Sequence, residues 1–372
     1  MRVIIAGLEG PMGTSKLFNN LYHQLAGYAS LGDFIKKLDI GARVAGDVLP
    51  LKSTDTLIQI KRFSEPPVGF LVRSGMFETD APPRAMIEWL RACDEVWVPS
   101  KWAKNVLLRH QISDEKIRVI SLGVNTAIFH PFLQFDKSPQ IFRFFNVSSL
   151  APRKGIRELL SALKLVVKQR PNVRLSLKLD NFLKKDLGRS EAKSLLIELG
   201  VDQHVDLLSG SFSEVDMMTL YRMHDAYVTA TRGEGWGLPI TEAVACGLPL
   251  VAPCHTGLSE FLGPLDGLYW KVESAPEAFS NNLLYESWCT QADGNEDFWH
   301  VCNIEAVAEA MIQVVDESMA GEAERKAKLA SQIVRQQFSW QVAGSLAMQA
   351  LIAKPLSRVM ASSSLASHTI SQ

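Results

Sequence analysis

Short apolar runs alternate with helix-length patterns along this chain, and the alternation stops once and then starts again. "RVIIAG" reads as a buried strand followed by a helix over 14–29. "GFLVRSG" and "EVWVPS" are further strands, with the helix "PRAMIEWLRAC" between them; "KWAKNVLLRHQ" is helical and "IRVISLG" a strand. Near-continuous apolar strands joined by helical crossovers indicate a parallel sheet covered on both faces. The stretch 125–141, "NTAIFHPFLQFDKSPQI", has no clear period and two prolines, and reads as a linker. The pattern then resumes: strand "FRFFNVSS", helix "GIRELLSALKLVVKQR", strand "VRLSLKL", helix "SEAKSLLIELG" stopped by Gly200, strand "VDLLSG", helix "SEVDMMTLYRMH" capped by Ser213, strand "AYVTA", a further helix, and strand "LPLVAP". The expected architecture is therefore α/β, with two doubly wound Rossmann-like domains, 1–135 and 136–336, facing a cleft. A closing helix, "FSWQVAGSLAMQALI" within 337–356, is expected to pack back on the N-terminal domain, and 357–372 reads as a flexible tail. At 372 residues the chain exceeds what one core usually serves, in keeping with two domains.

Composition narrows the partners. The net charge is −1, with no basic block of the kind that marks a nucleic-acid or anionic-membrane surface. Apolar residues make up 47% and charged residues 21%, which excludes wholesale disorder. The five cysteines, Cys93, Cys246, Cys254, Cys289 and Cys302, are odd in number, scattered and without a Cys-x-x-Cys pair, and read as reduced thiols of a cytoplasmic protein. "MRVIIAGLEG" is too short and too soon broken by glycine for a signal peptide. No apolar run reaches the ~20 residues of a spanning helix, so the expectation is a soluble chain with at most weak peripheral membrane contact.

The most informative segment is "GEGWGLPITEAVACGLPLVAP", residues 233–253. Glu242 stands among Leu238, Pro239, Ile240, Ala243, Val244, Ala245 and Cys246, where burial of a carboxylate is costly unless it is paired or hydrogen-bonded. Pro239 suits a first helical turn and Gly247 a C-terminal stop, which places Glu242 about one turn into a helix. Glu234 precedes it by eight positions, on the loop leaving "AYVTA". Gly233, Gly235 and Gly237 leave the backbone bare for close approach to a ligand, and the helix N-terminus favours an anion. Backbone donors for an anionic group and carboxylates for hydroxyls together describe a nucleotide sugar. The plainer alternative is a glycine-rich turn with Glu242 as a helix-dipole or salt-bridge residue; the glycines, Trp236 and both acids are more than a turn requires.

This string resembles the Glu-x7-Glu motif of retaining glycosyltransferases with the GT-B fold, the family 4 type (glycosyl transferases group 1). "DEVWVPSKWAKNVL" with "IRVISLGVNTAIFHP" is similar to the end of that family's N-terminal domain. "VSSLAPRKGIRELLSAL" is similar to its phosphate-binding C-terminal start, and "FSW" to its closing helix. The likeness covers nearly the whole chain and is weakest over 31–68. It implies that the first domain is the acceptor side and the second binds the nucleotide sugar. Glu242 would accept hydrogen bonds from the ribose, its partners arriving with the ligand. Glu234 would bind hydroxyls of the transferred sugar, and the backbone of Gly235, Trp236, Gly237 and Leu238 would hold sugar and phosphate. Lys154 would pair with the diphosphate and stabilise the leaving group's charge; its plain alternative is a solvated charge ahead of a helix. Gly13 would border the donor phosphates and the acceptor, or serve only a tight strand-to-helix turn.

Two departures accompany the likeness. Ser148 and Ser149 stand where many relatives have Gly-Arg, leaving Arg153 as a substitute phosphate contact or a solvent-facing neighbour. Many relatives also carry an N-domain histidine near the sugar; here the histidines before the linker are His23 and His110, neither at a suitable strand end, and Glu78 or Asp80 of "SGMFETD" occupies that region. Either acid could equally cap the helix after Pro83.

"GLEGPMG", with Gly7, Gly10 and Gly13, lacks the Gly-x-Gly-x-x-Gly spacing, and Asp39 lies too far along for a ribose acid, so nicotinamide binding is a weak rival. The absence of an Asp-x-Asp triplet argues against a metal-held diphosphate. His224 and His255 read as structural, Trp97 and Trp340 as core. The expectation is a retaining, metal-independent hexosyltransferase with no cofactor, taking a nucleotide diphosphate sugar and a hydroxyl-bearing acceptor: a glycan, a lipid-linked sugar, a protein or a small molecule. The rivals are a catalytically degenerate GT-B module binding a glycan or a partner, and a GT-B epimerase or phosphorylase.

Overall fold

The computed structural model describes residues 3–7, 13–27, 35–39, 55–60, 68–131, 140–179, 185–278 and 298–353. The first sheet holds β1 (Val3–Gly7), β2 (Ile35–Asp39), β3 (Thr56–Gln59), β4 (Phe70–Ser74), β5 (Glu95–Val98) and β6 (Ile117–Val119), in the order β2-β1-β3-β4-β5-β6. All its pairings are parallel. Its helices are α1 (Gly13–Ala26), α2 (Arg84–Arg91) and α3 (Lys101–Arg109).

The second sheet is also wholly parallel. It contains β7 (Phe142–Ser148), β8 (Val173–Leu179), β9 (Val205–Leu208), β10 (Ala226–Val228), β11 (Leu250–Pro253) and β12 (Trp270–Val272), in the order β12-β11-β10-β7-β8-β9. Around it lie α4 (Ile156–Gln169), α5 (Lys185–Leu199), α6 (Glu214–Arg222), α7 (Leu238–Ala245) and α8 (Ser259–Leu262). An antiparallel pair follows, β13 (Ser274–Ala278) with β14 (Phe298–Cys302). The last helices are α9 (Ile304–Met319), α10 (Glu322–Gln337) and α11 (Trp340–Ile352). The chain is thus a pair of Rossmann-like α/β units, as the twice-run pattern implies.

Three of the end signals read from the sequence, Gly200, Ser213 and Gly247, are found at helix ends. Ser213 and Asp216 form a reciprocal capping box on α6. Gly200 and Gly247 take the left-handed conformation beyond α5 and α7. Differences from the sequence reading are local. The first helix ends at Ala26 rather than 29, and α5 begins at Lys185, ahead of "SEAKSLLIELG". The strands β2, β3, β12, β13 and β14 were not foreseen: β2 (IKKLD) is a sheet edge with two lysines, as edges tend to be, and β3 (TLIQ) and β12 (WKV) have only four and three residues. Residues 132–139, within the linker, and the tail 357–372 lie outside the described residues.

The cores run beneath and between the sheets. Leu159, Leu163 and Val166 of α4 pack with Leu175 and Leu177 of β8. A larger cluster crosses between the domains, joining Phe18 and Leu21 of α1 to Tyr221, Trp236 and Trp340. Both Trp97 and Trp340 are buried, as expected. Helix α11 lies on α1 so closely that a Cβ on Gly344 would strike the Gln24 side chain. Gly155, between β7 and α4, has φ +62 and touches the Ala230 carbonyl beyond β10, where a Cβ would overlap the oxygen. Gly155→Ala combines a left-handed φ with that overlap, and is expected to destabilise the protein by more than about 2 kcal/mol, read as a lowered urea midpoint.

Candidate active site

Strand order reverses between β7 and β10, and chains leaving the carboxyl ends of strands at such a reversal open a ligand crevice. The segment after β7 forms a short 3-10 turn, Pro152–Lys154, carrying Arg153 and Lys154. The segment after β10 carries Thr231, Arg232, Gly233 and Glu234. The two are stitched together: Arg232 N–H donates to the Arg153 carbonyl at 2.7 Å, and Arg153 Nη1 donates to the Gly233 carbonyl at 2.8 Å. Arg232 is itself held by a charged hydrogen bond to the buried Glu158 of α4.

Glu234 is 8% exposed and sits at the centre of this arrangement. Lys154 Nζ donates to its Oε1, Arg153 Nη1 lies 3.1 Å from its Oε2, and the Thr231 hydroxyl is 3.1 Å from Oε1. Burial alone would raise this carboxyl. The Lys154 and Arg153 charges, with hydrogen bonds from Lys154 and Thr231, outweigh it and hold the group down at about 2. Burial in turn pulls the Lys154 ammonium below its usual value, against the opposing pull of Glu234. The Glu234 backbone N–H donates to Thr256 Oγ1 at 3.0 Å. Thr256 has φ 49, an unusual conformation for a β-branched residue, at the point where it steadies the acid's loop.

The first domain closes on this loop. A Cβ at Gly233 would overlap the Glu78 carbonyl oxygen, and one at Gly235 would lie 2.8 Å from Met76 Sδ and 3.0 Å from the Phe77 carbonyl. At these two positions, then, the absence of a side chain admits the backbone of the opposite domain. Glu78 reaches across to Arg153 at 3.5 Å. Asp80 is engaged within its own domain, accepting from Arg109 at 2.6 Å and Trp102 Nε1 at 3.1 Å. Neither acid caps α2, whose N-cap is Pro83 with no side-chain hydrogen bond.

Glu242 lies one turn into α7, after Gly237 (φ +94) and Leu238, the first helical residue. Its burial is already compensated: Lys16 Nζ donates to Oε1 at 2.6 Å and the Tyr221 hydroxyl to Oε2 at 3.0 Å. Burial and the Glu242 charge push the Tyr221 phenol upward, so it remains a donor. The expectation that the partners of Glu242 come only with a ligand is therefore corrected, because the chain supplies a cation from α1 and a phenol from α6. Trp236 presents its ring to the core, packing on Phe261 and Phe338 with centroids 5.4 and 5.7 Å away, so only its backbone can face the crevice. Gly13 begins α1. Arg153 and Lys154 are largely buried rather than solvent-facing, their side chains 14% and 19% exposed.

Of the residues singled out in the sequence, Glu78, Arg153, Lys154, Glu234 and Gly235 come together at one seam, with Glu242 further along the same loop and helix. Lys16, Thr231, Thr256 and Tyr221 were missed. Lys16 carried a signal, being a basic residue one turn beyond the glycine loop. His224 is structural, stacked on Phe145 at 4.6 Å and bonded to the Leu220 carbonyl. His255 is stacked on His300 at 4.6 Å and lies against the Thr256 hydroxyl at 3.3 Å. Among the described residues there is no group of three or more His, Cys, Asp or Glu placed to hold a metal ion. Among them too, Cys93, Cys246, Cys254 and Cys302 are free thiols, and no helix is long and apolar enough to cross a membrane. Cys289 lies outside the described residues.

Two parallel Rossmann-like sheets with charged groups gathered at their facing ends define the GT-B class, and the chain shares its fold with solved glycosyltransferases. A glycosyltransferase from Rickettsia africae superposes with a TM-score of 0.65 over 94% of this chain and 97% of that one, at 15% identity. Anabaena HepE, solved with UDP and glucose, gives 0.64 over 95% and 100%, also at 15% identity. Residues 130–285, which carry Arg153, Lys154, Glu234 and Glu242, match the family model for glycosyl transferases group 1. Two curated relatives align over part of the chain. The MMP alpha-(1->4)-mannosyltransferase of Mycolicibacterium hassiacum is 30% identical over 169 residues, 45% of this chain and 38% of its own. A GDP-mannose-dependent phosphatidylinositol monomannoside mannosyltransferase of Corynebacterium glutamicum is 32% identical over 146 residues, 37% and 36%. The chain thus spans under two-fifths of the length of these relatives.

Proposed function

We propose that the protein is a retaining, metal-independent glycosyltransferase of the cytoplasm, moving a sugar from a nucleotide diphosphate sugar to an acceptor hydroxyl in glycan or glycoconjugate biosynthesis. The observation that carries this reading is the pair of largely buried cations, Arg153 and Lys154, held by Glu234 at the β7–β10 reversal within the segment that matches glycosyl transferases group 1. A diphosphate at this crevice would meet two cations, and the hydroxyls of a sugar would meet a carboxylate that stays ionised at neutral pH. In the transfer, the bond from the anomeric carbon to the departing phosphate oxygen breaks and a bond to the acceptor oxygen forms on the same face. The acceptor's proton passes to the departing phosphate. Lys154 and Arg153 stabilise the charge that grows on that phosphate, and Glu234 fixes the sugar.

Thermal-shift screening against nucleotide sugars tests this directly, with GDP-mannose and UDP-glucose first. A bound donor at a hundred times its Kd should stabilise the folded protein by about 2.7 kcal/mol, seen as a raised Tm. No shift with any nucleotide sugar or nucleoside diphosphate would defeat the proposal.

A further inference from the structure

Among the described residues, Lys16 and Glu242 form a direct charge pair between the first domain and α7. The residues are 226 positions apart, Lys16 in the first turns of α1 and Glu242 in α7, yet Nζ and Oε1 are separated by 2.6 Å. The Lys16 side chain is 26% exposed and the Glu242 side chain 6%, so the bond lies at the edge of the seam with its acidic end inside. Its surroundings are arranged around it. Tyr221 holds the other carboxylate oxygen from within the second domain. Glu214 places a second carboxylate 3.9 Å from Nζ, and Asn125 Nδ2 donates to Glu214 at 3.2 Å. The Phe129 ring lies 6.0 Å from Nζ.

An ionised carboxylate has about four lone-pair sites. The contacts from Lys16 and Tyr221 engage one site on each oxygen, which leaves one on each for other donors. That is the demand of a vicinal diol, which offers two hydroxyl protons side by side. We propose that Lys16 is a positioning residue for nucleotide recognition: drawn from the first domain, it fixes Glu242 in the orientation that accepts both hydroxyls of a donor's ribose. Ribose recognition is thereby tied to the approach of the first domain. The inference rests on the reading of Glu242 as a ribose-binding acid, and the test separates the two.

Titration calorimetry is run with UDP and GDP and with their 2′-deoxy counterparts, on the wild type and on Lys16→Met, Lys16→Gln and Lys16→Arg, with folding checked by circular dichroism. The wild type is expected to favour the ribonucleotide by about tenfold, the worth of one charge-assisted hydrogen bond. Lys16→Met and Lys16→Gln are expected to lose most of that preference, by weakening the ribonucleotide and leaving the deoxynucleotide within about twofold. Lys16→Arg, which keeps the charge and the reach, is expected to retain it. Equal weakening of both nucleotides in the Met and Gln variants would make Lys16 a domain clasp only and overturn the inference. So would a wild type that binds both forms equally. Failure of the wild type to bind any of the four would remove the nucleotide-binding reading itself along with this one.

Discussion

Lys154→Ala is expected to lower the turnover of sugar transfer by about 10²- to 10³-fold, the loss found when one preorganised charge-stabilising donor is removed from an active site. The reason lies in where the ammonium is held. It is largely buried, tied to Glu234, and follows a strand end at which a diphosphate would lie. Low surrounding polarity strengthens its action on a developing negative charge. The variant should still fold, because Glu234 keeps Arg153 at 3.1 Å and the Thr231 hydroxyl at 3.1 Å. Transfer is followed with a labelled donor at saturating concentrations, with the Tm measured in parallel. Turnover within tenfold of the wild type, with the fold intact, would remove Lys154 from the mechanism.

Glu234→Gln should be nearly as damaging to transfer, by about 10²-fold in kcat/KM, since it strips the charge from the acid proposed to grip the sugar. It should also change the acid response of the fold. The carboxyl is held at about 2, below its unfolded value near 4.5, chiefly by Lys154 and Arg153 working against burial. Its contribution to stability is therefore complete above pH 4.5 and is lost as pH falls toward 2. The glutamine variant has no such contribution to lose. Its deficit in urea midpoint relative to the wild type should be constant from pH 7 to about 5 and should shrink at pH 4 and 3. A deficit that does not change with pH would mean that Glu234 is not held ionised by those cations.

The architecture was legible because parallel strands covered on both faces leave an unmistakable mark: "RVIIAG", "EVWVPS" and "LPLVAP" have no polar face to confuse with a turn or an amphipathic helix. Where that mark fails, so does the reading. The edge strand β2 has two lysines in five residues, and β3 is too short for any period to register. The acids at 234 and 242 could be found because glycines, a tryptophan and carboxylates in one apolar stretch need an explanation. What they touch could not. Lys16 lies 226 positions from Glu242, and only the assembly of the two domains brings the charges together. The glycines were legible as bare backbone, but that Gly233 and Gly235 face residues 76–78 of the other domain is a fact of assembly.

The chain passes between its halves twice, and the passages run side by side. Val124 donates to the Phe338 carbonyl at 2.9 Å and accepts from Trp340 N–H at 3.3 Å, while a Cβ on Gly123 would collide with the Trp340 backbone. The two halves are therefore joined by two covalent paths that are hydrogen-bonded to each other at one place. Helix α11 is packed on α1 of the first half, so one proteolytic nick between the halves would not set them adrift.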